Sequence, residues 1–316
     1  MINSRNRLKT PGQGRLVMIG GAALVALYVF ILLFATYDKA LLGQLWFLPG
    51  IGVLGAAIAN TSGTGGGVVF VPVFNALREH GVMTLDPLRV TAASMAIQCF
   101  GMTMGGLRWT DRLLHQPALA PSSLEVRVRP RDFVLVILAV LSLSLPAMLA
   151  MQRLTTVDGQ LILLGYKTFS IFLGLALIIT TWTINNNRPE RSRLEKVDIL
   201  ILLLIAIPGG ALTALFSVGI GELVALYLFM RHYPVLLCTG AACVISSISV
   251  LTGSIWHIQS GTIPWEVVIL AGPGAALGGF LARPIALWLG ARRLKTLDGA
   301  WIVLSACYLI MLNWAF

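Results

Sequence analysis

Asn60-Thr61-Ser62-Gly63-Thr64-Gly65-Gly66-Gly67 separates two apolar arms, Leu48 to Ala59 and Val68 to Leu77. Glycine adopts backbone angles that other residues resist and leaves its amides uncovered, so such a run inside hydrocarbon breaks a helix and exposes polar backbone. A break of this kind has to line a cavity or be buried in protein.

The surrounding chain reads as membrane spans. Of 316 residues, 57% are hydrophobic and 11% charged, and the mean hydropathy of +0.85 argues against a soluble core. The net charge of +10 comes from basic residues clustered in the gaps between apolar runs, which fits a positive-inside distribution better than nucleic-acid binding. Cys99, Cys238, Cys243 and Cys307 all lie in apolar runs without zinc-type spacing, so they read as small packing residues. His80, His115, His232 and His257 are scattered over gaps and span ends, and neither a metal nor a cofactor is expected. Arg5, Arg7, Lys9 and Arg15 precede the first apolar run, Leu16 to Ala35, which reads as an uncleaved span.

Runs of crossing length, about 20 residues, are Leu16 to Ala35, Leu88 to Leu107, Phe133 to Met151, Leu161 to Trp182, Val235 to Trp256, Trp265 to Leu289 and Leu297 to Trp314. Two longer segments are interrupted: Leu45 to Leu77 by the glycine run, and Ile199 to Met230 by Phe216-Ser217-Val218-Gly219-Ile220-Gly221. Charge decides whether these two cross. If both do, Lys39 and the basic gaps from Arg108 to Arg131 and Arg188 to Lys196 fall outside. If both are hairpins, those gaps join the N-terminal tail, Arg231, Arg283, Arg292, Arg293 and Lys295 on the cytoplasmic side, and only Lys39, Arg78, Arg89 and Arg153 remain external. The hairpin arrangement wins. Arms of about 12 to 16 residues, roughly 18 to 24 Å of helix, are also too short to span alone.

The expected fold is therefore all-α, a polytopic membrane protein of seven crossings and two re-entrant hairpins, with the N-terminus cytoplasmic and the C-terminus external. A basic tail (1–15) and a first span with its external loop (16–44) precede repeat 1 (45–187), a linker (188–198) and repeat 2 (199–316). Each repeat is a hairpin (45–77 or 199–230) followed by three spans, and three crossings invert the second copy. Gly63-Thr64-Gly65 echoes Gly219-Ile220-Gly221, Thr91-x-Ala93-x-x-x-Ile97 echoes Thr239-x-Ala241-x-x-x-Ile245, and Trp109 and Trp256 close the corresponding spans.

Two broken elements meeting from opposite faces suit a transporter that holds its substrate at the repeat interface. The second arm of each hairpin begins at the break, so its unpaired amides and positive dipole end favour an anion. The expected donors are the amides of Gly65, Gly66 and Gly67 with the side chains of Asn60, Thr61, Ser62 and Thr64. In the second hairpin they are the amides of Gly219, Ile220 and Gly221 with Ser217. Thr91, Ser94 and Gln98, and on the matching span Thr239, Ser246 and Ser249, fall roughly on one helical face that can point to the same cavity. Close glycine packing and interhelical hydrogen bonding are the competing readings.

Glu222 lies three residues past Gly219, deep in the second hairpin. A carboxyl group there either carries protons and couples transport, or caps the second arm and stabilises the break. Lys167, inside an apolar run near its outer end, reads as snorkelling to the headgroups, and Arg283 as an interface anchor.

These residues resemble the sulfite exporter TauE/SafE family, also called toluene-sulfonate uptake permeases. The likeness rests on Gly63-Thr64-Gly65-Gly66-Gly67-Val68-Val69-Phe70-Val71-Pro72, on Gly219-Ile220-Gly221, and on Gly274-Ala275-Ala276-Leu277-Gly278-Gly279 followed by the basic turn at Leu294-Lys295. Glu222 departs from it, standing where many members have another glycine. The resemblance implies secondary transport of a small sulfur-containing anion, such as sulfite, sulfoacetate or another organosulfonate, across a bacterial inner membrane. The partners expected are that anion and the lipid bilayer. A membrane enzyme is disfavoured, because the chain has no Gly-x-Ser-x-Gly, His-Glu-x-x-His or paired aspartates. An anion channel built on the same hairpins, or a cation-coupled carrier of another small solute, stays open.

Overall fold

The computed structural model describes residues 13–116, 126–154, 159–183 and 190–314. Most of the basic tail, together with Ser123 and Asn187 in the two basic gaps, lies outside the described residues. The chain is helical: α1 (Arg15–Phe34), α2 (Lys39–Gln44), α3 (Leu48–Ser62), α4 (Gly67–Glu79), α5 (Pro87–Leu114), α6 (Pro130–Leu154), α7 (Gly159–Thr183), α8 (Lys196–Phe216), α9 (Ile220–Met230), α10 (Val235–Gln259) and α11 (Trp265–Trp314). Among the described residues, seven helical segments are long and apolar enough to cross a membrane: α1, α5, α6, α7, α8, α10 and Trp265–Leu289 of α11. This is an all-α, multi-pass membrane protein.

The two interruptions are real. Helix α3 stops at Ser62, where Gly63 takes the left-handed conformation (φ 82°), and α8 stops at Phe216, where Ser217 does the same (φ 58°). Beyond each break the chain doubles back. A Cβ on Gly55, two turns before the end of α3, would meet the Phe70 ring of α4 at 2.6 Å, and one on Gly209 of α8 would lie 3.1 Å from the Ile220 Cα of α9. At the far end of the second pair, Arg231 and Tyr227 from the end of α9 reach Asp198 at the start of α8, at 2.7 and 2.6 Å. Helices α8 and α9 are therefore antiparallel.

One length departs from expectation. The first arm of the second hairpin was expected at about 12 to 16 residues, but α8 has 21 and is of crossing length. Its first turn begins in the charged linker, where the Asp198 carboxylate accepts from the Glu195 amide at 3.2 Å, three residues before the apolar run begins.

Helix α11 spans 50 residues, about 75 Å if straight, more than twice the hydrocarbon thickness. Its contacts require a reversal of direction between Gly278 and Gly299. Gly274 and Gly278 pack on the backbone of Pro49 and Val53 in α3, whereas Gly299 packs on Gly174 of α7 and Tyr308 reaches His80 at the end of α4, 3.1 Å away. The expected pair of runs, Trp265 to Leu289 and Leu297 to Trp314, is thus one continuous helical stretch folded on itself.

Helix α5 is buried along most of its length. It runs antiparallel to α1, with Asp111 accepting from the Gly14 amide at 2.8 Å and Tyr28 edge-on to Phe100. It is also antiparallel to α10, through Thr103 with Ser247 at 2.7 Å and Cys99 with Ser254 at 3.3 Å. Asp111 also lies 3.7 Å from Arg283, consistent with an anchoring role for that arginine.

Helices α3 and α11 touch backbone to backbone. A Cβ at Gly52, Gly274 or Gly278 would fall 2.1–2.2 Å from a carbonyl oxygen of the facing helix, so only glycine allows this approach. Gly50, on the same α3, faces nothing within 4 Å. Gly278→Ala should therefore lower the thermal midpoint in detergent, by an overpacking cost of about 1–3 kcal/mol. Gly50→Ala should leave it within about 0.5 kcal/mol. Equal effects of the two would refute the backbone contact.

Candidate functional site

The two breaks meet. A Cβ on Gly67 would lie 2.5 Å from the Ser217 carbonyl oxygen, and one on Gly221 3.3 Å from that of Gly63. Four residues separate the end of α3 from the start of α4 and three separate α8 from α9, and the amides of these breaks need acceptors from outside a helical ladder. Glu222 supplies two of these needs at once. One carboxylate oxygen accepts from the Gly65 amide at 2.5 Å and the other from the Gly219 amide at 2.7 Å. One carboxylate, buried to 1% exposure, therefore bridges both interruptions. It is a cap on α9, as one of the two sequence readings had it, and its second oxygen reaches the other hairpin.

Gln98 of α5 makes a second bridge. Its Oε1 accepts from the Gly66 amide at 2.7 Å, and its Nε2 donates to Ser217 Oγ at 2.6 Å, to the Ser217 carbonyl at 3.2 Å and to Ser94 Oγ at 3.1 Å. The expected face of α5 thus does point at the breaks. On the first hairpin Ser62 Oγ and Thr64 Oγ1 lie 2.8 Å apart. Ser246 of α10 packs against Gly221, where a Cβ would lie 2.1 Å from its hydroxyl.

Several expected residues are brought close without facing the junction. The Asn60 carboxamide donates to Ala56 O and Gly101 O at 2.8 and 3.2 Å, inside the α3–α5 contact, and Thr61 bonds its own helix at Ile58. The Ile220 amide is taken by Thr213 Oγ1 at 3.0 Å. Thr91 and Thr239 act as a matched pair. Each reaches a carbonyl at the end of the opposite hairpin's first arm, Leu215 at 3.0 Å and Ser62 at 3.3 Å.

Asp298 is the residue that sequence reasoning missed. Buried at 3% exposure, it accepts from Thr64 Oγ1 at 3.2–3.3 Å, so a second carboxyl group stands on the first break. Trp301, one turn on, donates to Val68 O at 3.2 Å, and Tyr166 of α7 to Gly67 O at 3.4 Å. In the sequence Asp298 stands three residues after Lys295, beside a basic turn, and looks like part of it. Lys167, expected at the headgroups, is buried at 7% exposure.

Comparison with known proteins is consistent with this architecture. No curated protein and no solved structure matches the chain. The family model described as sulfite exporter TauE/SafE matches residues 48–309, a stretch that includes both breaks, α5 and Asp298. The chain belongs to the sulfite exporter TauE/SafE family, whose members are membrane transporters of sulfur-containing anions such as sulfite.

Proposed function

We propose that this protein is a secondary transporter of a small sulfur-containing anion, sulfite or an organosulfonate such as sulfoacetate. On this reading the two broken segments re-enter the bilayer from opposite faces as the cores of an inverted repeat. The observation that carries the proposal is the double capture of Glu222: amides from two different hairpins converge on the two oxygens of one carboxylate, at 2.5 and 2.7 Å. A group of donors that holds a two-oxygen anion at the meeting point of two helix starts suits the oxygens of a sulfite or sulfonate. The matched threonines, each holding the other hairpin's first arm, support the repeat.

Glu222 then gives a coupling mechanism. The substrate anion and the ionised carboxylate compete for the same amides, and two negative charges at one buried place repel strongly. Protonation of Glu222 removes that repulsion and loosens the grip of the helix starts on its oxygens, so one proton and one anion enter the site together. Asp298, on the Thr64 hydroxyl, offers a second place for a proton along the same path. Gln98, Ser217, Ser94 and Ser62 supply the remaining polar contacts.

Three measurements test this reading. Purified protein should be stabilised thermally by sulfite or sulfoacetate more than by sulfate, taurine or thiosulfate; stabilisation by sodium alone would support a cation-coupled carrier instead. In liposomes, Glu222→Gln should flatten the dependence of flux on pH, and an unaltered pH profile would remove Glu222 as the coupling group. Single cysteines at Ser123 and Asn187 should label only from the cytoplasmic face, which reports whether both hairpins return to the face they came from.

A further inference from the structure

Lys295 has no part in the site just described. It lies in the reversal of α11, 4% exposed, with its Nζ 3.5 Å from the centroid of the Phe229 ring at the end of α9. The Cys238 thiol, near the start of α10, is its other close polar neighbour. Among the described residues no carboxylate pairs with it. Asp298, one turn on, is turned to Thr64. Asp198 is held by Arg231, Tyr227 and Tyr233, Glu195 by Arg191 and Arg231, and Glu190 accepts from the Val126 amide. An ammonium taken out of water without an anion is costly, and the face of one aromatic ring offsets that cost only in part.

A second lysine, Lys167 of α7, is buried near the other returning arm. Both lysines are buried, at 7% and 4% exposure. Lys167 stands inside α7, within the field of Arg78 and Glu79 of α4, and Lys295 stands where α11 turns, over Phe229 of α9.

We propose that Lys295 is a distinct oxoanion-binding group, which receives sulfite or a sulfonate at the junction of α9, α10 and α11 before the anion moves to the amides of Gly65 and Gly219. The inference rests on the anion-transport reading. Asp298 lies between this junction and Thr64, so an anion leaving Lys295 passes a carboxyl group that has to be neutral.

The test uses the full chain, purified and reconstituted, with sodium sulfite and sulfoacetate as probes. Lys295→Met keeps the apolar stem against Phe229 and removes the charge. The substrate-free variant should be at least as stable as the parent, while its apparent sulfite affinity falls about tenfold or more, the scale of one lost charge-assisted contact. Lys295→Arg should retain affinity within about threefold, since it restores the charge. A Lys295→Met protein that binds sulfite like the parent overturns the proposal. So does one that fails to fold while Lys295→Gln binds normally, because Lys295 is then a packing residue. If the parent itself responds to neither anion, the transport reading fails first, and this inference with it.

Discussion

The constraint on which the structure depends is that a helix cannot start in a buried apolar place without acceptors for the amides at its start. Two helices of this chain, α4 and α9, start at buried residues, and side chains of α5, α8 and α9 itself meet the need. Glu222 takes one amide from each start and Gln98 takes another from the first, so the two starts are held to one another as well as satisfied. Removing either side chain leaves buried donors unpaired, at a cost of about 1–3 kcal/mol each. The close approach of the breaks follows from this shared need. So does the position of α5, which has to pass beside both in order to deliver Gln98.

The helices around the tips serve that meeting. Thr91 and Thr239 fasten the first arms, and the glycine contacts between α3 and α11 bring the backbone of α3 close enough for Asp298 to reach Thr64 after α11 reverses. Helix α1 stands apart from this arrangement. It precedes the family-matched residues, leaves most of its apolar surface exposed, and is held at Gly14 by Asp111 and at Tyr28 by the Ile269 carbonyl. Its exposed Met18, Ile19, Leu33 and Phe34 suit contact with lipid.

Both breaks were legible in the sequence because Gly, Ser and Thr inside apolar runs have one physical meaning in a membrane. Glu222 stood out for the same reason: an acid in such a place needs partners. What could not be read was direction around the helix axis at the break itself. Asn60 and Thr61 lie within one turn of Ser62, yet they point into α5 and into their own helix, because the chain leaves α3 through a left-handed residue at Gly63. The length of α8 was underread, since its first turn lies in the charged linker and the hydropathy of the run gives no sign of it. Asp298 was hidden by its neighbours.

On the transport reading, a substrate-free anion site inside a bilayer raises a difficulty of its own, because aligned amides and two positive dipole ends without a partner would be poorly stable and would draw in any available ion. Holding the carboxylate of Glu222 in that place answers the difficulty. The amides stay paired when no substrate is present, and an incoming ion has to displace a tethered competitor at very high effective concentration. On that reading, weakly binding anions are rejected without a separate gate. On the transport reading, selectivity and coupling arise from one side chain: the substrate that succeeds is the one whose oxygens replace those of Glu222 on the same donors, and the replacement is easiest when the acid has taken a proton.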